Sequence, residues 1–141
     1  MVIADTGFWL ALANRRDRYH DRAKACLNKL EESLITTWPV MTETCHLLLH
    51  RLGWKAQQAF IKSYASAAFE VYDLTQKHAQ KIETYMMKKY AALPMDLADA
   101  SLVILAEHLG HGRILSTDQR DLQTYRRKQH HPFENLPIQD L

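Results

Sequence analysis

The chain has little glycine, proline or cysteine: 4, 4 and 2 residues in 141. So little glycine and proline excludes a collagen-like chain or a flexible linker. Two cysteines, Cys26 and Cys45, are too few for a disulfide framework or a four-cysteine zinc site. They suit small reduced core residues of a cytosolic protein. An excess of one charge is also missing. Lysine and arginine number 18, aspartate and glutamate 16, and the formal net charge is +2. No global field draws such a chain onto nucleic acid or membrane, so any such binding needs a local patch. Long apolar runs are absent as well. The longest, Phe8 to Ala13 and Leu102 to Ala106, fall far short of the ~18 residues that span a bilayer. The chain does not open on a basic stretch followed by an apolar one, so no secretory signal and a cytoplasmic location are expected.

What is present is the composition of a folded protein. A hydrophobic content of 47% argues against disorder. The length suits a single domain over residues 1–141 with one core. Val2-Ile3-Ala4 reads as a buried strand that stops at Asp5, and Phe8 to Ala13 as a short helix. Asn14 to Asp21 is polar and basic and reads as a loop. Tyr19 to Glu32 carries Ala23, Cys26, Leu27 and Leu30 at helical spacing. Leu34 to Trp38 reads as a second strand. Pro39 then opens a helix that runs to about Leu52 and stops at Gly53. Trp54 to Ala68 reads as a helix, Phe69 to Leu74 as a third strand, and Thr75 to Tyr90 as a helix. Asp96 to Leu109 is the clearest helix, closed by Gly110, and Arg113 to Thr117 is a fourth strand. The last ten residues, with Phe133, Leu136 and Ile138, offer a fifth. Alternating strands and helices predict an α/β fold with a largely parallel four- or five-stranded sheet.

The informative feature is where a few carboxylates fall. Asp5 follows the first strand and Asp118 the fourth, while Glu43, Asp96 and Asp99 lie near the starts of two helices. In an open parallel sheet, ligands bind outside the carboxyl ends of the strands. Carboxylates gathered there repel one another unless a cation neutralises them, and a hard divalent ion with oxygen ligands is the natural partner. Each acid also has a plainer reading. Asp5 and Asp118 suit helix or turn caps, Asp96 and Asp99 have the spacing of a capping box, and Glu43 suits a solvated helix face.

Other residues carry less. His46 and His50 lie four apart, but the His-Glu-x-x-His order of a zinc protease is absent, and surface or half-buried histidines are expected. Basic stretches stand at Arg15, Arg16 and Arg18, at Lys88 and Lys89, and at Arg126, Arg127 and Lys128. They read as solvated faces or, if they border the acids, as phosphate contacts. Trp9, Trp38 and Trp54 read as core or interface residues rather than base-stacking platforms. A phosphorylated receiver domain would need paired acids after the first strand and a lysine after the last, and neither is present.

The acids sit in short motifs that occur in a fixed order. Asp5-Thr6-Gly7 follows a three-residue apolar strand, Thr42-Glu43 follows Pro39, and Asp99-Ala100 leads an apolar helix. Ser116-Thr117-Asp118 is followed by Arg120-Asp121-Leu122. In motifs, order and length the chain resembles the PIN-domain ribonucleases, especially the VapC-type toxins of toxin–antitoxin pairs. Leu122 stands where that family often has phenylalanine, a departure that touches packing more than chemistry. The resemblance implies a three-layer α/β/α sandwich and an endoribonuclease dependent on Mg²⁺ or Mn²⁺. Its acids would be Asp5, Glu43, Asp99 and Asp118, with Asp5, Asp99 and Asp118 on the metal and Asp96 as a further candidate ligand. Asp121 falls where the family often carries a further acid. Thr6, Ser116 and Thr117 would orient the carboxylates, and Arg15, Arg16, Arg126 and Arg127 would contact RNA. The resemblance also implies a type II toxin with a cognate antitoxin and a homodimer, to which the aromatic pair Phe8 and Trp9 would lend a surface. A PIN-like module that binds RNA or protein without cutting is the alternative.

Overall fold

The computed structural model describes residues 1–87, 95–117, 126–127 and 131–135. The strands are β1 (Val2–Ala4), β2 (Leu34–Thr37), β3 (Glu70–Tyr72), β4 (Arg113–Leu115), β5 (Arg126–Arg127), β6 (His131–Pro132) and β7 (Glu134–Asn135). Five of them form one sheet in the order β3-β2-β1-β4-β7, parallel at every pairing. β5 and β6 form a separate antiparallel pair. The helices are α1 (Thr6–Ala13), α2 (His20–Lys29), α3 (Trp38–Leu52), α4 (Trp54–Ala65), α5 (Ala79–Met87) and α6 (Leu97–Leu109).

β1 lies at the centre, and Val2, Ile3 and Ala4 are wholly buried. A parallel strand covered on both faces has no polar side, which is why three apolar residues in a row suffice. Ile3 sits opposite Ile35 on one flank and Ile114 on the other. From β1 the chain steps outward to β2 and β3, and it later returns to the other flank of β1 as β4. Right-handed crossovers then put α1 to α4 on one face and α5 and α6 on the other. The contacts agree: α1 packs on α2 and α3, α3 on α4, and α5 on α6. This is the expected three-layer arrangement. The strand order reverses between β1 and β4, and a crevice opens outside the carboxyl ends of the strands at such a point.

Several boundaries differ from the sequence expectation. α1 begins at Thr6 rather than Phe8 because Asp5 caps it, and the first N–H groups of a helix need no intrahelical partner. The expected helix over Tyr19 to Glu32 shortens to His20–Lys29 as Leu30 turns extended to feed β2. Trp38 leaves the second strand and becomes the first residue of α3, with Pro39 behind it. The third strand narrows to Glu70–Tyr72. The helix expected from Thr75 starts as a 3-10 turn, Gln76–His78, before α5, and its expected end at Tyr90 lies outside the described residues. α6 matches closely, with Asp96 as its cap and Gly110 in the left-handed conformation (φ 79°) after it. Ala98, Ala100 and every residue from Ser101 to Ala106 are buried, so α6 is a core helix on nearly all sides.

Trp9 meets the expectation of a core residue and not that of a dimer surface. It is only 6% exposed and packs against Phe8, Phe60 and Phe69, with ring centroids 4.5–5.5 Å apart. Phe8 is wholly buried, so the pair is core and offers no aromatic surface for dimerisation. Among the described residues no helix is long and apolar enough to cross a membrane.

Candidate functional site

Carboxylates stand in two groups of polar residues at the carboxyl edge of the sheet. The first is built around Asp5, at the end of the central strand. Its Oδ1 accepts from the Phe8 N–H at 3.1 Å, which caps α1, and its Oδ2 accepts from the Ser116 hydroxyl. Ser116 follows β4, 111 residues away in sequence, and is wholly buried. A donor on each oxygen fixes the orientation of the carboxylate. Thr6 is buried beside it, and Gly7 lies against Thr117. A Cβ at Gly7 would collide with Thr117 Oγ1 and would stand 3.5 Å from Asp5 Oδ1. Gly7 is therefore needed for close approach, since its φ is ordinary for a helix.

The second group comprises Glu43 on α3 with Asp96 and Asp99 at the start of α6. The Asp99 N–H donates to Asp96 Oδ1 at 2.8 Å, and the Asp96 N–H donates to Asp99 Oδ2 at 3.4 Å, which closes a capping box. The plainer reading of this pair is thus real, but it does not exhaust the geometry. Asp99 is half-buried, and its pKa is pushed up to about 7. Loss of hydration is the main cause, followed by the Asp96 charge and hydrogen bond, with Glu43 adding a smaller repulsion. A cap alone would have no reason to face a glutamate from another helix.

Buried hydroxyls tie the two groups together. The Ser101 hydroxyl donates to the Ala98 carbonyl at 2.6 Å, which leaves its oxygen to accept from Thr37, also at 2.6 Å. This locks the first turns of α6 onto the end of β2. The neighbouring Thr36 hydroxyl donates to the Ala4 carbonyl at 2.8 Å, one residue before Asp5. Thr36, Thr37 and Ser101 are all wholly buried. The sequence reading passed over them, although polar residues at the end of an apolar strand were a usable signal.

A cleft of about 680 Å³ opens beside the second group, lined by Trp38, Pro39, Thr42, Glu43, His46, Asp96, Leu97 and Ala98. Among the described residues no lysine or arginine lines it. Mutual repulsion among carboxylates, whose donors are oxygens, fits a hard divalent cation. Even so, no three histidine, cysteine or acidic side chains among the described residues converge tightly enough to enclose an ion. Asp118 and Asp121 lie outside those residues. Arg15 and Arg16 are exposed beyond the far end of α1, about 12 Å along its axis from Asp5, and do not reach the cleft. Arg126 and Arg127 form β5, which lies against α6. His46 and His50 are exposed, with ring centroids 4.3 Å apart.

The comparisons with known proteins agree with this architecture. A family model described as the PIN domain matches residues 2–128. The chain is 28% identical over 127 residues to a protein named Ribonuclease VapC26 from Mycobacterium tuberculosis, covering 89% of this chain and 92% of that one. The crystal structure of Mycobacterium tuberculosis VapC20, titled a sarcin-ricin loop cleaving toxin, superposes with a TM-score of 0.78 at 23% identity. The match covers 85% of this chain and 92% of that one, and shows a shared fold. With a family match over most of its length, a parallel sheet that reverses order at β1, and acids at that point, the chain belongs to the PIN-domain family.

Proposed function

We propose that this chain is a metal-dependent endoribonuclease that hydrolyses RNA phosphodiester bonds, and that it is the toxin of a type II toxin–antitoxin pair. The observation that carries the reading is the charge crowding at Asp99, where acids from two helices face one another with no lysine or arginine among the described residues that line their cleft. Such an arrangement opposes stability and is retained where a bound cation offsets it. Membership of the PIN family and the likeness to Ribonuclease VapC26 support the choice of RNA.

Asp5 and Asp99 would hold Mg²⁺ or Mn²⁺, with Asp118 and Asp96 as further ligands. The bound ion would offset phosphodiester charge and lower the pKa of water. Glu43 orients the attacking water and accepts its proton as the new P–O bond forms and the old one breaks. Ser116, Thr6 and Thr117 keep the carboxylates in place. Arg126 and Arg127, in the strand beside α6, would meet the RNA backbone, and Arg15 and Arg16 would touch it only on a longer substrate. The working form is a single domain over residues 1–141 that acts in the cytoplasm as a homodimer and is held inactive by an antitoxin protein.

The test is cleavage of a panel of transfer, ribosomal and messenger RNA in Mg²⁺ or Mn²⁺. The reading expects cuts that EDTA and Asp5→Ala abolish. Equal cutting by Asp5→Ala would overturn the site, and RNA binding without cutting would favour the non-cleaving module.

A further inference from the structure

Trp38 was expected in a core or an interface, yet it is 43% exposed. It opens α3 immediately before Pro39 and stands on the lip of the cleft that holds Glu43 and Asp96. The ring is fixed despite its exposure. Its Nε1–H donates to Asp73 at 2.7 Å, and it meets Tyr64 edge to face, with centroids 5.5 Å apart and planes at 88°. A side chain ordered in advance loses little freedom when a ligand arrives. Leu97, 48% exposed, and Pro39 extend the apolar lip, while Glu43 and Asp96 make the other wall polar and acidic. A nucleotide is matched to such a cleft when the acids hold a cation: its flat apolar base suits the lip, and its anionic phosphodiester suits the cation.

We propose that Trp38 is a base-stacking residue that holds one unpaired nucleobase of the RNA beside the acids. The inference rests on the endoribonuclease reading and adds which part of the substrate is gripped, and by what. The base must be unpaired, because in a duplex its faces are covered by its neighbours. Stacking tolerates every base, since each has a π-face, so Trp38 contributes affinity and position rather than sequence choice. A protein partner is the competing occupant. It would use the neighbouring hollow of Trp38, Leu49 and Ile61, whose described lining includes neither Asp96 nor Glu43. Trp38 shares its larger cleft with both acids, and that favours RNA.

The experiment uses the full chain carrying Asp5→Ala, so that binding is measured without cleavage. Trp54→Phe is added because Trp54 is 60% exposed and would contribute its own signal, whereas Trp9 is buried. Short single-stranded adenylate, uridylate and cytidylate oligomers are titrated in Mg²⁺. All three are expected to quench Trp38 fluorescence. Trp38→Ala is expected to raise their Kd, read by anisotropy of labelled oligomers, about tenfold, which corresponds to about 1.4 kcal/mol. Trp38→Phe recovers most of the loss, and Asp73→Ala shows a smaller loss in the same direction. In the cleaving protein, Trp38→Ala raises KM by a similar factor with little change in kcat. Unchanged Kd in Trp38→Ala while the wild type still cleaves RNA would overturn the inference and leave the nuclease reading standing. A change of oligomeric state in Trp38→Ala with RNA binding intact would assign Trp38 to a protein interface. If the wild type neither binds nor cleaves any RNA, the nuclease reading falls and the inference falls with it.

Discussion

Asp99→Asn is expected to stabilise the metal-free protein while abolishing turnover. In the folded chain the Asp99 carboxyl keeps its proton up to about pH 7, against 3.8 for an unperturbed side chain. Between those values the native state binds more protons than the unfolded one. Stability from this group is therefore greatest at low pH, falls as pH rises through the window, and is fully lost above about 7. In a sealed site the displacement would correspond to about 4 kcal/mol. Asp99 is half-buried, and the water that reaches it reduces the cost to about 1–2 kcal/mol. Asparagine keeps an acceptor for the Asp96 N–H, so the capping box survives and only the charge is removed. For a chain of this size the gain should appear as a Tm raised by roughly 3–8 °C at pH 8 in EDTA. At pH 5, inside that window, the unfolded carboxyl is ionised and part of the cost remains, so the difference in Tm should be smaller than at pH 8 and should close only below about pH 4. Saturating Mn²⁺ should raise the wild-type Tm at pH 8, by about 2.7 kcal/mol of stability at 100 times Kd, and raise Asp99→Asn much less. Calorimetry at the two pH values, with and without metal, reads all four quantities. A mutant that is equally destabilised at both pH values would refute the reasoning, because it would show that Asp99 acts as a cap and bears no charge strain.

Three further outcomes follow from the same geometry. Ser116→Ala removes the hydroxyl that donates to Asp5 and should cut kcat by tenfold or more while costing about 1–2 kcal/mol in urea unfolding; unchanged kcat would show that the Phe8 N–H alone orients the carboxylate. Gly7→Ala drives Thr117 from its position and should lower activity, and Thr117→Ala should relieve the strain in a double-mutant cycle of Tm values; simple additivity would mean that the two residues do not press on each other. Leu48→Ala, at a wholly buried position on α3, should cost about 2–5 kcal/mol by chemical denaturation with the Mn²⁺ affinity of the surviving fold unchanged, and a near-neutral effect would place Leu48 outside the core.

Much of the fold was legible because burial writes itself into local patterns. Val2-Ile3-Ala4 has no polar residue and became the central strand. Leu97 to Leu109 sits between a capping aspartate and a left-handed glycine, as the spacing of Asp96 and Gly110 announces. Trp38 was assigned to the wrong element because aromatic and β-branched residues run together from Leu34, and nothing local marks where the strand yields to the helix. Thr36, Thr37 and Ser101 went unnoticed because their partners are remote: Ser101 is 64 residues from Thr37. The reading of Asp96 and Asp99 as a capping box is met by their hydrogen bonds, and the charge of Glu43 felt at Asp99 is what keeps the pair candidates for the site.

The sequence by itself determined the alternation of strands and helices and the chemical type of the acids that follow them. Those properties depend on the period of burial within an element and on caps a few residues away. Only the tertiary structure decided which acids meet, which tryptophan is core and which lines a cleft, and that Arg15 and Arg16 lie beyond the far end of α1. Those outcomes depend on the reversal of strand order at β1, which brings Ser116 to Asp5 across 111 residues. Proximity of that kind is set by the packing of whole layers and has no local signature in the chain.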